Sequence, residues 1–287
     1  MKNILKSVFI TAFPSFAVIV LVESVYQLYK LGLSFSSIGN LISALAIVIF
    51  FAGLFLKPQA RTSRNLSVFT LIIVSGFLVT LLISLINNFS FTVLTISFAL
   101  LVCWILYLKW YSVFEERETT LLKIGNQLPT FKVEDISNNI ISSEIFKGKP
   151  AIYLFYRGNW CPLCMAQIKE IAAQYKELEK RGVTMNFISP QPHSYSNILA
   201  EKFNLGFNFL TDTDNKVAKQ LGIFSENGIP AGFQVFGYDS DTVLPTVIIT
   251  DVSGKIIFLD ETDNYRVRPE PETFLRVLDE MYFSQSK

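Results

Sequence analysis

Histidine and cysteine are the scarce residues of this chain, and their scarcity removes several kinds of function at once. There is one histidine, His193, and there are three cysteines, Cys103, Cys161 and Cys164. Three cysteines cannot build the stapled framework of a small disulfide-rich domain. A structural zinc site needs four ligands, commonly a second Cys or His pair; none exists here, so no metal is expected. His193 reads as a solvated loop residue and Cys103 as a small apolar filler. Basic residues are not in excess either. The formal net charge is +1, which gives no electrostatic footprint for a nucleic-acid partner.

What is abundant is apolar sequence, and it is unevenly spread. Mean hydropathy is +0.39, too high for an ordinary soluble protein. Four stretches at 8–29, 38–56, 67–86 and 91–108 each approach the roughly 20 apolar residues that a helix needs to cross a hydrocarbon core. The first is too long for a signal peptide and lacks a small-residue cleavage site, so it is expected to stay as a helix. The short turn Asn87-Asn88-Phe89-Ser90 makes the last two an antiparallel pair. Residues 1–112 are thus read as a four-helix transmembrane domain, with the lipid bilayer as partner. Lys2, Lys6, Lys57, Arg61, Arg64, Lys109, Arg117 and Lys123 flank one face and only Lys30 the other. Positive flanks stay inside, so the protein is expected to be a multi-pass membrane protein whose C-terminal half faces the cytoplasm. Glu23 is the one carboxylate within these stretches and is close enough to a helix end to reach the interface.

After a charged connector at 113–123, residues 124–287 alternate strand and helix patterns, which implies a central sheet with helices on both faces. The fold class expected is therefore α plus α/β: a four-helix bundle followed by an α/β domain. The run Ala151-Ile152-Tyr153-Leu154-Phe155-Tyr156 reads as a strand covered on both faces. Residues 162–180 place Met165, Ile168, Ile171, Ala172, Tyr175 and Leu178 on one helical stripe. Between them lies Cys161-Pro162-Leu163-Cys164, two cysteines at the start of a helix. A thiolate is the attacking form of cysteine, and a free thiol with a pKa near ~8.5 is only slightly ionised at neutral pH. Unpaired N–H groups and the dipole at a helix N-terminus favour an anion there. Pro162 suits the first helical turn. Cys161 is read as the nucleophile, and Cys164, one turn deeper, as the residue that closes the disulfide. No cofactor is expected beyond this pair.

Several segments resemble one family. Gly125-Asn126-Gln127-Leu128-Pro129-Thr130-Phe131 is similar to the opening of the redoxin, or alkyl hydroperoxide reductase/thiol-specific antioxidant, branch of the thioredoxin-like superfamily. Phe155-Tyr156-Arg157-Gly158-Asn159-Trp160-Cys161-Pro162-Leu163-Cys164 is similar to its active-site segment. Leu210-Thr211-Asp212-Thr213-Asp214-Asn215-Lys216-Val217-Ala218 resembles its later strand-to-helix passage, and Leu244-Pro245-Thr246-Val247 its cis-proline segment. The resemblance spans roughly 124–284 and implies a thioredoxin-like domain with a central mixed sheet. It also implies a cis bond before Pro245, which would set the polar backbone of Leu244 free to pair with a substrate beside the disulfide. Trp160 would cover the dithiol.

The resemblance leaves two enzymatic readings open. Peroxide-reducing members carry Thr or Ser three residues before the attacking cysteine, and an arginine from a neighbouring strand. Here Gly158 takes the first position, and Pro245 and Thr246 stand about where the arginine is sought. Arg157 is a possible substitute. We therefore expect a membrane-anchored thiol–disulfide oxidoreductase acting on a disulfide-bearing protein, with a thiol-dependent peroxidase as the alternative. Either needs an external thiol electron donor. A redox sensor without turnover is the alternative of another class. The stretch 223–243 either shapes access to the site or covers an edge strand.

Overall fold

The computed structural model describes residues 2–31, 35–86, 90–115, 117 and 121–285. Residues 87–89 of the turn expected over 87–90 and part of the connector (116 and 118–120) lie outside them. Four apolar helices open the chain: α1 (Lys2–Leu31), α2 (Phe35–Leu56), α3 (Ser67–Ile86) and α4 (Phe91–Leu106). All four are long and apolar enough to cross a membrane, the last when counted through Tyr111. Small residues let α2 and α3 pack backbone to backbone: a Cβ on Gly39 or Gly76 would collide with the facing helix. This is how apolar helices associate where no hydrophobic contrast separates them from their surroundings. The end of α4 widens into a π-helical turn, Tyr107–Tyr111, a geometry that tends to mark functional positions.

The second half is a seven-stranded sheet in the order β2-β1-β5-β4-β3-β8-β9. Its strands are β1 (Lys132–Glu134), β2 (Ile140–Ser142), β3 (Ala151–Phe155), β4 (Thr184–Ser189), β5 (Asn208–Thr211), β8 (Thr246–Thr250) and β9 (Ile256–Asp260). A separate small hairpin joins β6 (Phe224–Ser225) to β7 (Thr242–Val243). β3, β4 and β5 run parallel, whereas β8 is antiparallel to β3, so the sheet is mixed. The expected β3 is found, buried at every position. The helix expected over 162–180 is two, α5 (Pro162–Ala173) and α6 (Tyr175–Lys180), because Gln174 leaves helical geometry at φ −95°, ψ 10°. α7 (His193–Phe203), α8 (Lys216–Gln220) and α9 (Pro271–Gln285) complete the layers. His193 is not a loop residue: it begins α7, and its Nε2 meets the Asp135 carbonyl at 2.5 Å.

One apolar cluster runs without a break from the helical half into the sheet half. It joins Phe13, Phe50, Trp104 and Tyr107 to Tyr265, Leu163, Ile168 and both cysteines of the dithiol. The segment 262–268, after β9, forms the seam. The backbone N–H of Thr62 donates to the Arg266 carbonyl (2.8 Å) and that of Tyr265 to the Ser112 carbonyl (3.1 Å). The hydroxyls of Tyr107 and Tyr265 meet at 2.6 Å. The wholly buried Arg266 guanidinium donates to Ser112 Oγ, Thr62 Oγ1 and the carbonyls of Ser63 and Arg64, at 2.9–3.1 Å.

Candidate active site

β3 delivers the chain to the site, and a glycine turns it. Gly158 sits at φ +141°, and its absent Cβ would stand 2.7 Å from the Trp160 indole. The indole thus occupies the space that a Thr or Ser side chain at 158 would need. Past this turn the Cys161 N–H donates to the Gly158 carbonyl at 3.2 Å and α5 begins at Pro162. Cys161 is its N-cap: Sγ accepts from the Cys164 N–H at 3.3 Å. Both sulfurs are buried, with Cys161 2% exposed, and they stand 2.6 Å apart. A helical spacing of three residues brings them together directly.

Two buried guanidiniums face this pair. Arg268 Nη2 lies 3.4 Å from Cys164 Sγ and 3.9 Å from Cys161 Sγ. Its orientation is fixed by Nη1 donating to Gln167 Oε1 (2.9 Å) and Nε donating to the Tyr265 carbonyl (3.1 Å). Arg157 lies over the Trp160 ring, 4.7 Å from its centroid, and donates to the Gly228 carbonyl. The two thiols titrate as a unit. Burial alone would push Cys164 up. The hydrogen bond from Cys161, the Arg268 charge and the backbone and charge of Arg157 outweigh it and bring Cys164 down to about 5. Burial, the shared hydrogen bond and the neighbouring anion push Cys161 well above the ordinary thiol value. The pair therefore gives up one proton easily and keeps the second. The pKa order puts the anion first on Cys164, not on Cys161 as helix position alone implied.

Other expectations are corrected. Among the described residues no peptide bond is cis, that of Pro245 included. The polar backbone near it is occupied: Leu244 N–H donates to the Ile223 carbonyl (2.7 Å). The Leu244 carbonyl accepts from Thr246 Oγ1 (2.9 Å), and the Pro245 carbonyl from Arg117 Nη2 (3.1 Å). Thr246 Oγ1 also accepts from Arg117 Nη1 at 2.7 Å. These bonds tie Arg117 of the connector to Pro245 and to the start of β8. Trp160 packs against the apolar cluster that holds both cysteines and against Phe233, with ring centroids 5.5 Å apart. The guanidinium that lies nearest both sulfurs is at position 268 and not near 245, in a stretch without a recognisable pattern. Arg266 and Arg268 could be seen in the sequence only as two charges close together. Among the described residues no three His, Cys, Asp or Glu side chains converge as metal ligands.

A dithiol at a helix N-terminus beside the central parallel strand of a mixed sheet defines a thioredoxin-like redox domain. Residues 124–259 match the AhpC/TSA family. A putative peroxiredoxin bcp from Haemophilus influenzae is 31% identical over 105 residues, covering 37% of this chain and 68% of that protein. A chloroplastic peroxiredoxin Q from Populus jackii is 29% identical over 124 residues, covering 43% of this chain and 58% of the relative. The chain belongs to the AhpC/TSA family. It spans between 58% and 68% of the length of these two curated relatives. Among solved structures, Enterococcus faecalis AhpC aligns with a TM-score of 0.47 at 18% identity, over 57% of this chain and 94% of its own.

Proposed function

We propose that this protein is a membrane-anchored thiol-dependent peroxidase. In this reading residues 1–112 form the transmembrane domain, 113–123 the connector and 124–287 the redox domain, with the positively flanked face and the dithiol on the cytoplasmic side. The observation that carries the reading is Arg268, a buried guanidinium within 3.4–3.9 Å of both sulfurs. The Leu244 backbone, which a disulfide substrate was expected to pair with, is already hydrogen-bonded within the chain. Peroxide reduction needs fixed positive charge where a leaving oxygen becomes negative, and Arg268 supplies it. The peroxiredoxin names carried by the relatives favour the same side.

The chemistry balances without a cofactor. The proton held by Cys161 first passes to Cys164, and the Cys161 thiolate attacks the terminal peroxide oxygen; an S–O bond forms and the O–O bond breaks. Sulfur becomes a sulfenic acid and the departing alkoxide takes the Cys164 proton, leaving as alcohol, or as water from hydrogen peroxide. The Cys164 thiolate then displaces hydroxide from Cys161, closing the disulfide. An external dithiol returns two electrons and is itself oxidised to a disulfide. The test compares hydrogen peroxide with insulin disulfide as substrates of the full chain, with dithiothreitol as donor. Peroxide consumption is expected to exceed insulin reduction, and Cys161→Ser is expected to abolish it. Insulin reduction without peroxide consumption would overturn the reading in favour of disulfide exchange. One stoichiometric oxidation without turnover would favour a sensor.

A further inference from the structure

The approach to Cys161 comes from an unexpected direction. A cavity of about 170 Å³ has Cys161 in its lining, and its walls include Ile10 and Pro14 of α1 and Phe51 and Phe55 of α2. These are two of the four helices long and apolar enough to cross a membrane. Phe55 is 62% exposed on the outer face of the bundle. The volume is close to that of a ~150 Å³ apolar cavity able to hold a benzene ring, enough for a segment of hydrocarbon chain. Of the α1 and α2 residues that line it, Ile10, Pro14, Phe51, Leu54 and Phe55 are apolar, and the one polar side chain, Thr11, spends its hydroxyl on the Ala231 carbonyl; Arg157 and Cys161 line it as well.

The stretch 223–243 gives Pro230 and Phe233 to the cavity wall, and it is fastened to α1. Ser7 Oγ donates to the Ile229 carbonyl (2.5 Å), the Ala231 N–H donates to the Ser7 carbonyl (3.1 Å), and Thr11 Oγ1 donates to the Ala231 carbonyl (2.9 Å). This attachment holds Phe233 against Trp160 at the cavity wall. On the same turn Val235 and Phe236 are 80% and 60% exposed, apolar side chains presented next to the start of a membrane-crossing helix. Depth agrees with this arrangement. Phe51–Phe55 form the last turn of α2, next to Lys57, which puts the cavity mouth where hydrocarbon gives way to headgroups. An acyl chain carrying a hydroperoxide brings that polar group to this depth, because burying it unpaired in hydrocarbon is unfavourable.

We propose that the substrate is the hydroperoxide of a phospholipid acyl chain still resident in the bilayer, entering between α1 and α2 with its –OOH group toward Cys161. This rests on the thiol-peroxidase reading above. The oxygen transferred to sulfur is the terminal one, and the product is a hydroxy-acyl phospholipid that leaves by the same opening.

The test uses the full chain in phosphatidylcholine nanodiscs with dithiothreitol as donor. It compares phosphatidylcholine hydroperoxide in the disc with hydrogen peroxide in solution. The wild type is expected to consume both, and Ile10→Trp, which fills the cavity, to lower the ratio of lipid to hydrogen peroxide turnover at least tenfold. Hydrogen peroxide consumption with no lipid hydroperoxide turnover, or an unchanged ratio in Ile10→Trp, overturns the proposal and leaves the peroxidase reading standing. Failure with both peroxides in the wild type overturns the two together. If Ile10→Trp does not fold, a phospholipid with a mid-chain diazirine decides on the wild type. Photo-adducts on Trp160 or Phe233 are expected; adducts confined to the outward faces of the helices overturn the proposal.

Discussion

The two halves of the molecule dispose of apolar surface in opposite ways. In the helical half, Ile19 and Leu71 point outward at 66% and 69% exposure, because the bundle core needs only one stripe of each helix. In the sheet half, every residue of β3 is buried, because helices cover both faces. The first surface wants a non-aqueous surrounding and the second makes its own. At the seam they share one core, and the dithiol lies there. The reactive sulfurs are therefore governed by both halves: α5 holds them, while the segment ordered by the helical half brings Arg268 to them.

Four experiments sharpen or break this comparison. The largest effect is expected from Arg268→Met, which keeps the volume and removes the charge. Peroxide turnover should fall by about 10²–10³, the scale seen when one preorganised electrostatic donor is removed; a change below about tenfold would take Arg268 out of the chemistry. Next comes the seam. Arg266→Met leaves the part-buried Ser63 and Arg64 carbonyls without this donor. It should cost about 3 kcal/mol at roughly 1–3 kcal/mol per orphaned group, read as a lower unfolding midpoint in detergent. Full stability in that variant would mean that the halves are joined elsewhere.

The third is a pH profile. With the first thiol of the pair held down to about 5, the alkylation rate by iodoacetamide should stay level from neutral pH toward 5 and fall below it. The sign follows from the attacking species: the thiolate reacts, a lowered pKa preserves it at acid pH, and protonation removes it. In Arg268→Met the midpoint should move upward, toward an ordinary thiol. The smallest effect is expected from Arg64→Ala. Its ion pair with Asp263 also crosses between the halves at 2.7 Å, but both side chains are more than half exposed. Such pairs contribute about 0.2–1 kcal/mol, so the unfolding midpoint should barely move.

Much of this could be read along the chain. The four apolar runs, the strand at β3, the proline-started helix and the two cysteines are local patterns, each set by periodicity or by the chemistry of a helix terminus. Other features were not local. The break at Gln174 carries no glycine or proline to announce it. Gly158 departs from the family pattern because an indole two residues away fills its Cβ space, which only packing reveals. Arg268 reaches the sulfurs from more than a hundred residues downstream, held by Gln167 and by the backbone of Tyr265.

By itself the sequence determined that there would be a dithiol at a helix start and four helices suited to lipid, since both follow from neighbours in the chain. The tertiary structure alone decided that the two would meet. Charge on the sulfurs and a path to Cys161 depend on side chains from α1, α2, the 223–243 stretch and the 262–268 segment converging. No local pattern encodes a convergence of residues so far apart in the chain.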